Sequence, residues 1–459
     1  MTCVTVHPLL SRKEISKSMS LSHLLRIPAV LALLTAGWSA AILPVQAEES
    51  AWPQFRGPHA DGQADAKGLP VSWSEERNVI WKAPVPHKGW STPLVLGNQV
   101  WVTSATEDGR EFFVHCHDRE TGAVKHEARL FTSDAPEPLG NDLNSYASCT
   151  GFLEAGRVFV HFGSYGTACL DTATFKEIWR RTDLPCRHYR GPGSSVFPWR
   201  DTIILTMDGV DVQYLTALEK ATGRTVWKTD RNTEFDDLDA SGKPTSDGDY
   251  RKAYSTPIPI VVGGKTQIVS TGSKATVAYD PDTGKEIWRA CYKGFSNASQ
   301  PIWINGLLVL NTGHGKAVLR AYRITPETAG DITDHLVWEQ TKYIPTRSSP
   351  VAGGGLIYVM ADNGFISAVD PKDGELLFSE RTMGACSASP ICADGRLYFC
   401  NERGDTFVVE PGREYKSLSR NTLEAGIMAS PVAAGRELYL RTKTHLYRIA
   451  EKTPAPSAP

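Results

Sequence analysis

The amino-acid sequence predicts an all-β protein, an eight-bladed β-propeller built from four-stranded antiparallel blades. The first observation is a strand-starting phrase that occurs eight times in the 459-residue chain, at spacings of 40 to 61 residues. The second is a Gly turn followed by a strand with an aromatic residue in several of these units. The third is composition, because 39 Gly, 29 Pro and 12 Trp favour turns and short strands over helical bundles. A four-stranded blade needs about 40 to 45 residues, so longer units are expected to carry longer loops.

The repeated phrase is Ser or Ala, then any residue, then Pro. Alternating apolar runs such as Leu356–Met360 follow it, so each phrase is predicted to open the first strand of a blade. Two degenerate copies, Ser148–Thr150 and Ser194–Val196, lack the Pro. The six copies that keep it begin at Ser91, Ser255, Ser299, Ser348, Ala388 and Ala429.

The second half of a unit contains an acidic residue, a Gly turn and a final strand with an aromatic residue. Asp280–Gly284 and Asp370–Gly374 are two such turns. An indole on the last strand is expected to pack between neighbouring blades, because it buries a large apolar area. The structural blade tryptophans predicted in this way are Trp81, Trp179, Trp227, Trp288 and Trp338.

The last unit predicts how the ring closes. Ser430 to Ile449 holds only three strands, and the missing fourth is expected from Asn78–Lys82, which carries Trp81. Such a strand would lie beside Tyr447 and remove an unpaired edge. The propeller domain is therefore predicted to span residues 48–450, with a disordered Pro-rich tail at 451–459.

The N-terminal residues 1–47 have the pattern of an export signal. Basic residues up to Arg26 precede an uncharged run from Ile27 to Ala47, and Val45–Ala47 is a small-x-small cleavage site. An uncleaved anchor is the alternative, because 21 uncharged residues could just span a bilayer. Nothing later is apolar enough to do so. The mature protein is therefore expected to be exported, either periplasmic or secreted.

Charge and cysteine content limit the classes of partner. The chain has 49 Lys and Arg against 51 Asp and Glu, which argues against nucleic acid as a partner. Eight cysteines would follow the signal, and their pairing is left open because eight allow 105 connectivities. A monomer is expected.

The D-x-x-T-G-x-x-x-W pattern resembles the pyrroloquinoline-quinone (PQQ) type propeller repeat, over about Trp52 to Ile449. This family includes quinoprotein alcohol dehydrogenases, the lipoprotein propeller of the outer-membrane barrel assembly machinery, and exported proteins with no assigned activity. The opening Trp52–Gly57, with Asn144–Ser148 and Gly191–Ser195, resembles the exported branch most. The resemblance supports a fold more strongly than a chemistry.

The resemblance leaves two functions open. The quinone-using enzymes of the family pair PQQ with a vicinal disulfide and a calcium ion, and this sequence has no adjacent cysteines. No cofactor is therefore predicted, and the expected function is a non-catalytic binding or assembly scaffold. The alternative is a PQQ-dependent oxidoreductase, or another propeller enzyme, acting on alcohols or sugars.

No metal site is predicted either. His115 and His117 alternate on one strand and project the same way, but position 117 matches apolar residues of other units, so His117 is expected to fill a place between blades. The acidic insertion Arg231–Tyr254 resembles the first half of a calcium loop, yet its twelfth position is Gly248 instead of Glu.

The candidate binding site is one mouth of the central channel, where residues just before each first strand are expected to converge. Donors and aromatic residues at these positions would suit a protein partner or a small polar ligand, anionic or polyhydroxylated. A solvated rim whose cations bond loop carbonyls is the alternative for any single residue. The predicted mouth residues are Asn144, Tyr146, His188, Arg190, Lys252, Tyr254, Asn297 and Arg347, with Lys88 and Trp90 at the equivalent place in the first unit.

Overall fold

The computed structural model describes residues 51–382 and 384–452, which form a ring of eight antiparallel sheets. This confirms the predicted eight-bladed β-propeller. The signal at 1–47 and tail residues 453–459 lie outside the described residues. From the first (innermost) to the fourth (outermost) strand, the blades are: blade 1, Leu94–Leu96, Gln99–Ala105, Glu111–Asp118 and Val124–Thr132; blade 2, Phe152–Glu154, Arg157–His161, Thr167–Asp171 and Glu177–Arg181; blade 3, Phe197–Trp199, Thr202–Asp208, Gln213–Glu219 and Thr225–Asp230; blade 4, Ile258–Val262, Lys265–Thr271, Ala275–Tyr279 and Glu286–Cys291; blade 5, Ile302–Ile304, Leu307–Asn311, Leu319–Arg323 and Leu336–Gln340; blade 6, Val351–Gly353, Leu356–Met360, Phe365–Val369 and Leu376–Arg381; blade 7, Ile391–Ala393, Arg396–Cys400, Asp405–Glu410 and Lys416–Thr422; blade 8, Val432–Ala434, Glu437–Arg441, His445–Ile449 and Val79–Pro84.

Two blades carry a short additional strand that the repeat pattern does not predict. Gln63–Ala64 pairs in parallel with the first strand of blade 7, and Gly330–Asp331 pairs in parallel with the fourth strand of blade 4. Over residues 51–382 and 384–452, the remaining regular element is a short 3-10 helix, Thr245–Gly248. Among the described residues, no helix has the length and apolarity needed to cross a bilayer.

The ring closes through the N-terminal strand, as predicted. Val79–Pro84 is antiparallel to His445–Ile449, with Trp81 opposite Arg448 and Lys82 opposite Tyr447. The last blade thus gains its fourth strand from the start of the chain, and the two ends of the propeller are joined by backbone hydrogen bonds.

The apolar core is divided into layers between adjacent blades. Second- and third-strand residues such as Val158 and Ala168 of blade 2 pack against blade 1, whereas Phe159 and Cys169 pack against blade 3. Alternate residues of one strand therefore face opposite neighbours, as the period of two along a strand requires. Equivalent layers lie between the other blades.

Most blade tryptophans lie against the Gly turn of the next blade. Trp179 donates its indole N–H to the carbonyl oxygen of Lys220 at 2.9 Å, and its ring covers Gly223. A Cβ at Gly223 would lie 2.7 Å from that ring, and the residue has φ +72°. The Gly and the Trp of the repeat are therefore contact partners from neighbouring blades. The same pairing joins Trp81 to Gly122, Trp227 to Gly284 and Trp338 to Gly374.

Trp288 is an exception among the predicted blade tryptophans. Its indole N–H donates to Gln267 of its own blade at 2.8 Å. Blade 5 has no D-x-x-T-G turn, and Gly330–Asp331 instead pairs with the strand that carries Trp288, while Ile332 is buried beside it. An added strand here replaces the Trp-on-Gly contact.

Substituting Gly223 tests this contact. Gly223→Ala is expected to lower the free energy of unfolding by roughly 2 to 5 kcal/mol, because it adds left-handed backbone strain to a clash with Trp179. Gly156→Ala is the matched control, since Gly156 has φ +83° but no atom near its would-be Cβ, and it should cost about 1 to 2 kcal/mol. Urea unfolding of both variants measures the difference, and equal losses would mean that the Trp contact adds nothing.

One repeat is placed differently from its prediction. In the other blades the first strand starts two residues after the middle residue of the phrase, as Leu94 follows Thr92. Blade 2 starts at Phe152, so its copy of the phrase is Cys149–Gly151 and not Ser148–Thr150. The reason is a hydrogen bond between blades, because the hydroxyl of Thr150 accepts the backbone N–H of Thr92 at 2.9 Å.

The segment Trp52–Gly62, called the N-terminal plug below, crosses one end of the channel. Trp52 pairs with Val95 of blade 1, and the carbonyl of Pro53 accepts the N–H of Leu153 in blade 2. On the far side, the fully buried Arg56 donates to the carbonyl oxygens of Pro350 and Pro390, in blades 6 and 7. The plug therefore ties opposite sides of the ring together and closes that end.

Gly residues make the plug possible. Gly57 has φ +80°, and a Cβ there would lie 2.9 Å from the Trp52 ring, while one at Gly62 would lie 2.3 Å from the Arg56 guanidinium. The Trp and Arg side chains of the opening W-P-Q-F-R-G motif thus pack directly against Gly57 and Gly62, where a larger residue would clash with them.

Candidate functional site

A cavity of about 610 Å³ lies on the propeller axis. Its walls come from the residues that precede and begin the first strands, and its floor includes Phe55 of the N-terminal plug. Because the plug closes the far end, the cavity opens at one mouth and is called the axial cup below. The mouth face is the face at which the connections between successive blades lie.

Five of the eight predicted mouth residues line the axial cup. They come from four different connections between blades, which the ring geometry brings together. Their roles in binding stay predictions. These residues are Asn144, Arg190, Lys252, Tyr254 and Arg347, and Trp90 joins them.

Arg190 and Lys252 form the cationic side of the axial cup. The Arg190 guanidinium stacks 4.8 Å from the Tyr189 ring and reaches the Leu139 carbonyl only at 3.4 Å. Lys252 donates to the carboxylate and the backbone carbonyl of Asp249. Burial lowers the pKa of Lys252, the hydrogen bond to Asp249 raises it, and the charge of Arg190 lowers it further. Two adjacent cations with one carboxylate leave this side positively charged.

Arg347 stands among carboxylates. Its Nε lies 3.7 Å from Asp362, its Nη2 lies 3.7 Å from Glu402, and Nη2 donates to the Cys386 carbonyl at 3.0 Å. The Asp362 carboxylate also accepts the backbone N–H of Thr346. Arg347 thus fits the alternative stated for single mouth residues, a cation that bonds a loop carbonyl. The nearby carboxylates largely balance its charge.

Tyr146, His188 and Asn297 do not line the axial cup. Tyr146 is buried and donates its hydroxyl to the Glu137 carbonyl at 2.6 Å. His188 is buried and accepts the Ser164 N–H at 3.0 Å. The side-chain amide of the fully buried Asn297 donates to the carbonyl of Gly272 at 2.7 Å. The side chains of these three residues point away from the axis. Their hydrogen bonds hold the loops in place.

Several residues of the axial cup were missed from sequence. The middle residue of the repeated phrase is a hydroxyl residue in most blades, and all of these hydroxyls except that of Ser349 line the cavity. The recurring hydroxyl residue could therefore have been found by comparing the repeats in the sequence. No sequence pattern marks the other missed residues, which meet only in the folded chain: Phe55, Asp249, His314 and Asp362. The hydroxyl residues lining the cup are Thr92, Thr150, Ser195, Thr256, Ser389 and Ser430.

The two metal-like patterns are used internally. His115 contacts the hydroxyl of Ser104 at 2.7 Å, and His117 contacts the carbonyl oxygen of Gly122 at 3.1 Å. In the acidic insertion, Asp237 binds Arg251 at 2.6 Å. Within 51–382 and 384–452, no group of three or more His, Cys, Asp or Glu side chains could hold a metal ion.

The residues of the axial cup do not offer the calcium and quinone set that the resemblance implies. The cup carboxylates Asp249 and Asp362 already bind Lys252 and Thr346. The cysteines of the described part of the chain are free thiols, and none neighbours another in sequence. No oxidation step is therefore derived for this site.

Comparison with known proteins places the repeat in one family. The family model described as outer membrane protein assembly factor BamB matches residues 211–456, more than half of the chain. The outer membrane protein assembly factor BamB of Yersinia pestis is 24% identical over 216 residues, which are 44% of this chain and 49% of that relative. The chain thus spans about half the length of the curated relative that it matches.

Solved structures show the same fold at low identity. A europium-containing methanol dehydrogenase has a TM-score of 0.64 and 14% identity, over 86% of this chain and 90% of its own. The quinohemoprotein alcohol dehydrogenase of Comamonas testosteroni has a TM-score of 0.63 and 13% identity, over 90% and 82%. BamB from Moraxella catarrhalis has a TM-score of 0.54 and 12% identity, over 81% and 99%. Dehydrogenases and an assembly factor thus share this architecture, so the fold alone does not choose between them.

Proposed function

We propose a function for this chain, which belongs to the β-propeller family described as outer membrane protein assembly factor BamB. It is an exported, non-catalytic scaffold that docks a protein partner on its mouth face. The family description points to outer membrane protein assembly as the process. Export rests on the signal pattern in residues 1–47.

The observation that carries the proposal is a set of three long connections on the mouth face. Three connections between blades, 133–151, 182–196 and 231–257, are longer than the other five, which run for nine or ten residues. These three consecutive connections, called the mouth rim below, follow blades 1, 2 and 3. Loops positioned by a rigid scaffold are where binding residues concentrate.

Ion pairs order the mouth rim. Arg187 lies 3.0 Å from Glu137 and 3.2 Å from Asp247, so it joins all three connections. Within the last connection, Arg251 binds Asp237 at 2.6 Å. A rim held in this way loses less conformational entropy when a partner binds.

The mouth rim also exposes apolar side chains. Leu143 is 47% exposed on the first connection, and Leu238 (62%) and Tyr250 (36%) are exposed on the third. Apolar side chains on an ordered polar rim are typical of protein docking surfaces.

A charge-bearing double variant of the rim tests the proposal. In Leu143→Asp/Leu238→Asp, recovery of the partner from cross-linked envelope fractions is expected to fall at least tenfold, because charges replace apolar contacts. Outer membrane proteins should then assemble more slowly, as their heat-modifiable folded form reports. Quantitative mass spectrometry of co-purified proteins measures the first effect.

Val261→Asp is the matched control. Val261 is 60% exposed, and it lies near the end of the first strand of blade 4, toward the face opposite the rim. It should leave partner recovery unchanged. Equal recovery by the rim variant and the wild type would contradict the docking site, and dye-linked alcohol oxidation by the purified chain with added PQQ and calcium would contradict the non-catalytic scaffold.

A further inference from the structure

The axial cup is not needed by a scaffold that binds through its rim. Its volume of about 610 Å³ is in the usual range for a small-molecule site. The N-terminal plug makes it a closed-bottomed cavity, so a ligand would enter and leave through the mouth alone.

Hydroxyl groups with free hydrogens surround the lower part of the axial cup. Ser195 accepts the backbone N–H of Thr150 at 3.0 Å, and Thr256 accepts that of Ser195 at 2.9 Å. Thr150, Ser389 and Ser430 accept backbone N–H groups of neighbouring blades in the same way. None of these five hydroxyls donates to another described group, so five O–H donors remain for a ligand in the cup.

The cationic side of the cup favours an anionic group. Arg190 has no carboxylate partner among the described residues, and Lys252 beside it shares a single carboxylate, that of Asp249. An anion bridging Arg190 and Lys252 would form charge-assisted hydrogen bonds and reduce the repulsion between the two cations.

Aromatic faces complete the lining. Trp90, Tyr254 and Phe295 stand around the mouth, and Phe55 lies on the floor. The indole Nε1 of Trp90 is buried and has no hydrogen-bond partner in the described structure. Apolar ring faces between dispersed polar groups suit a ligand with both C–H and O–H surfaces.

We propose that the axial cup binds a small sugar acid, with its carboxylate between Arg190 and Lys252 and its hydroxyl groups on the ring of blade hydroxyls. The carboxylate accounts for the unbalanced cations, the ligand hydroxyls account for the free donors, and the aromatic faces pack against the sugar ring. The proposal does not rest on the docking proposed for the mouth rim, although Arg190 and Lys252 lie in two of its connections.

Isothermal titration of the purified mature chain tests the site with D-glucuronate, D-glucose, acetate and inorganic phosphate. D-glucuronate is expected to bind saturably, and D-glucose at least tenfold more weakly because it lacks the carboxylate. Arg190→Gln should weaken D-glucuronate binding roughly tenfold or more, since one charge-assisted pair is lost. Trp90→Phe, which keeps an aromatic face but removes the indole N–H, should weaken it by a smaller factor.

Arg200→Gln is the control, because Arg200 lies 67% exposed in the turn between the first two strands of blade 3, on the opposite face. It should leave binding unchanged, and a thermal unfolding midpoint equal to the wild type shows that each variant is folded. Three results would overturn the proposal: no saturable D-glucuronate binding at millimolar concentrations, equal binding by Arg190→Gln, or equally tight binding of acetate or phosphate.

Discussion

Lowering the pH from 7 to 5 is expected to reduce the free energy of unfolding by about 6 kcal/mol through three buried histidines. Burial lowers the pKa of His161 to about 3 and that of His188 to about 4. Burial, followed by the charge of Arg441, lowers the pKa of His115 to about 3. All three are therefore neutral in the folded protein at both pH values.

The sign follows from the unfolded chain. An unfolded histidine has a pKa near 6.5, so below that pH the unfolded state binds protons that the folded state cannot bind. Stability is lost as the pH falls from about 6.5 toward the folded pKa values. Because these values lie well below 5, each histidine contributes about 2 kcal/mol of the loss at pH 5.

His188→Gln is the variant that tests this prediction. A glutamine oxygen can accept the Ser164 N–H in place of the imidazole Nε2, so the contact is kept while the titration is removed. The difference in unfolding free energy between pH 7 and pH 5, measured by urea titration, should shrink by about 2 kcal/mol. The exposed His335 serves as the control, and His335→Gln should leave the difference unchanged. An unaltered difference in His188→Gln would show that His188 is protonated in the folded state.

Arg231→Met is expected to lower the free energy of unfolding by about 3 to 5 kcal/mol, because it leaves a buried carboxylate unpaired. Arg231 Nε donates to Asp208 Oδ1 at 2.8 Å, and both side chains are at most 2% exposed. The guanidinium also donates to the side chain and the backbone carbonyl of Ser270 in blade 4. This ion pair joins blades 3 and 4 where the third connection of the mouth rim begins.

The charge of Asp208 makes the loss large. Burial raises the pKa of Asp208, and the charge of Arg231 opposes that shift. Its Oδ2 has no hydrogen-bond partner among the described residues, so Arg231 is its main compensation. Removal of Arg231 would leave the carboxylate either charged in an apolar site or protonated at a free-energy cost.

Two companion variants separate the ion pair from general packing. Asp208→Leu/Arg231→Met should recover much of the lost stability, because two apolar side chains replace both charges. Arg200→Met, which breaks the exposed pair with Asp282, should change stability by less than about 1 kcal/mol. Equal losses in the single and double variants would refute the unpaired charge as the cause.

The fold was predictable to the level of individual strands in most of the chain. Trp81 lies opposite Arg448, and its neighbour Lys82 lies opposite Tyr447. This is the position predicted for the strand that completes the last blade. Blade 2 was predicted one residue out of place, since its phrase has neither the Pro nor the usual Ser or Ala. The added strand Gly330–Asp331 was missed because two residues are too few to show a strand period.

The candidate site was predictable only in part. Arg190 and Lys252 line the axial cup, whereas His188, only two residues before Arg190, turns into the space beside Ser164. Neighbouring loop residues follow no fixed period, so sequence position does not say which side chain faces the axis. The hydroxyl residues that line the cup recur in the sequence repeats. Only the structure shows that their O–H groups donate to no other described group.

The number and order of the blades and the strand that closes them could be read from local pattern, because each repeat carries its own strand period, turn and aromatic residue. The axial cup required the folded chain. Its floor comes from Phe55, its cations from Arg190 and Lys252, and its hydroxyls from six blades. These groups are far apart in sequence, and it is the closure of the ring over the N-terminal plug that brings them within reach of one ligand.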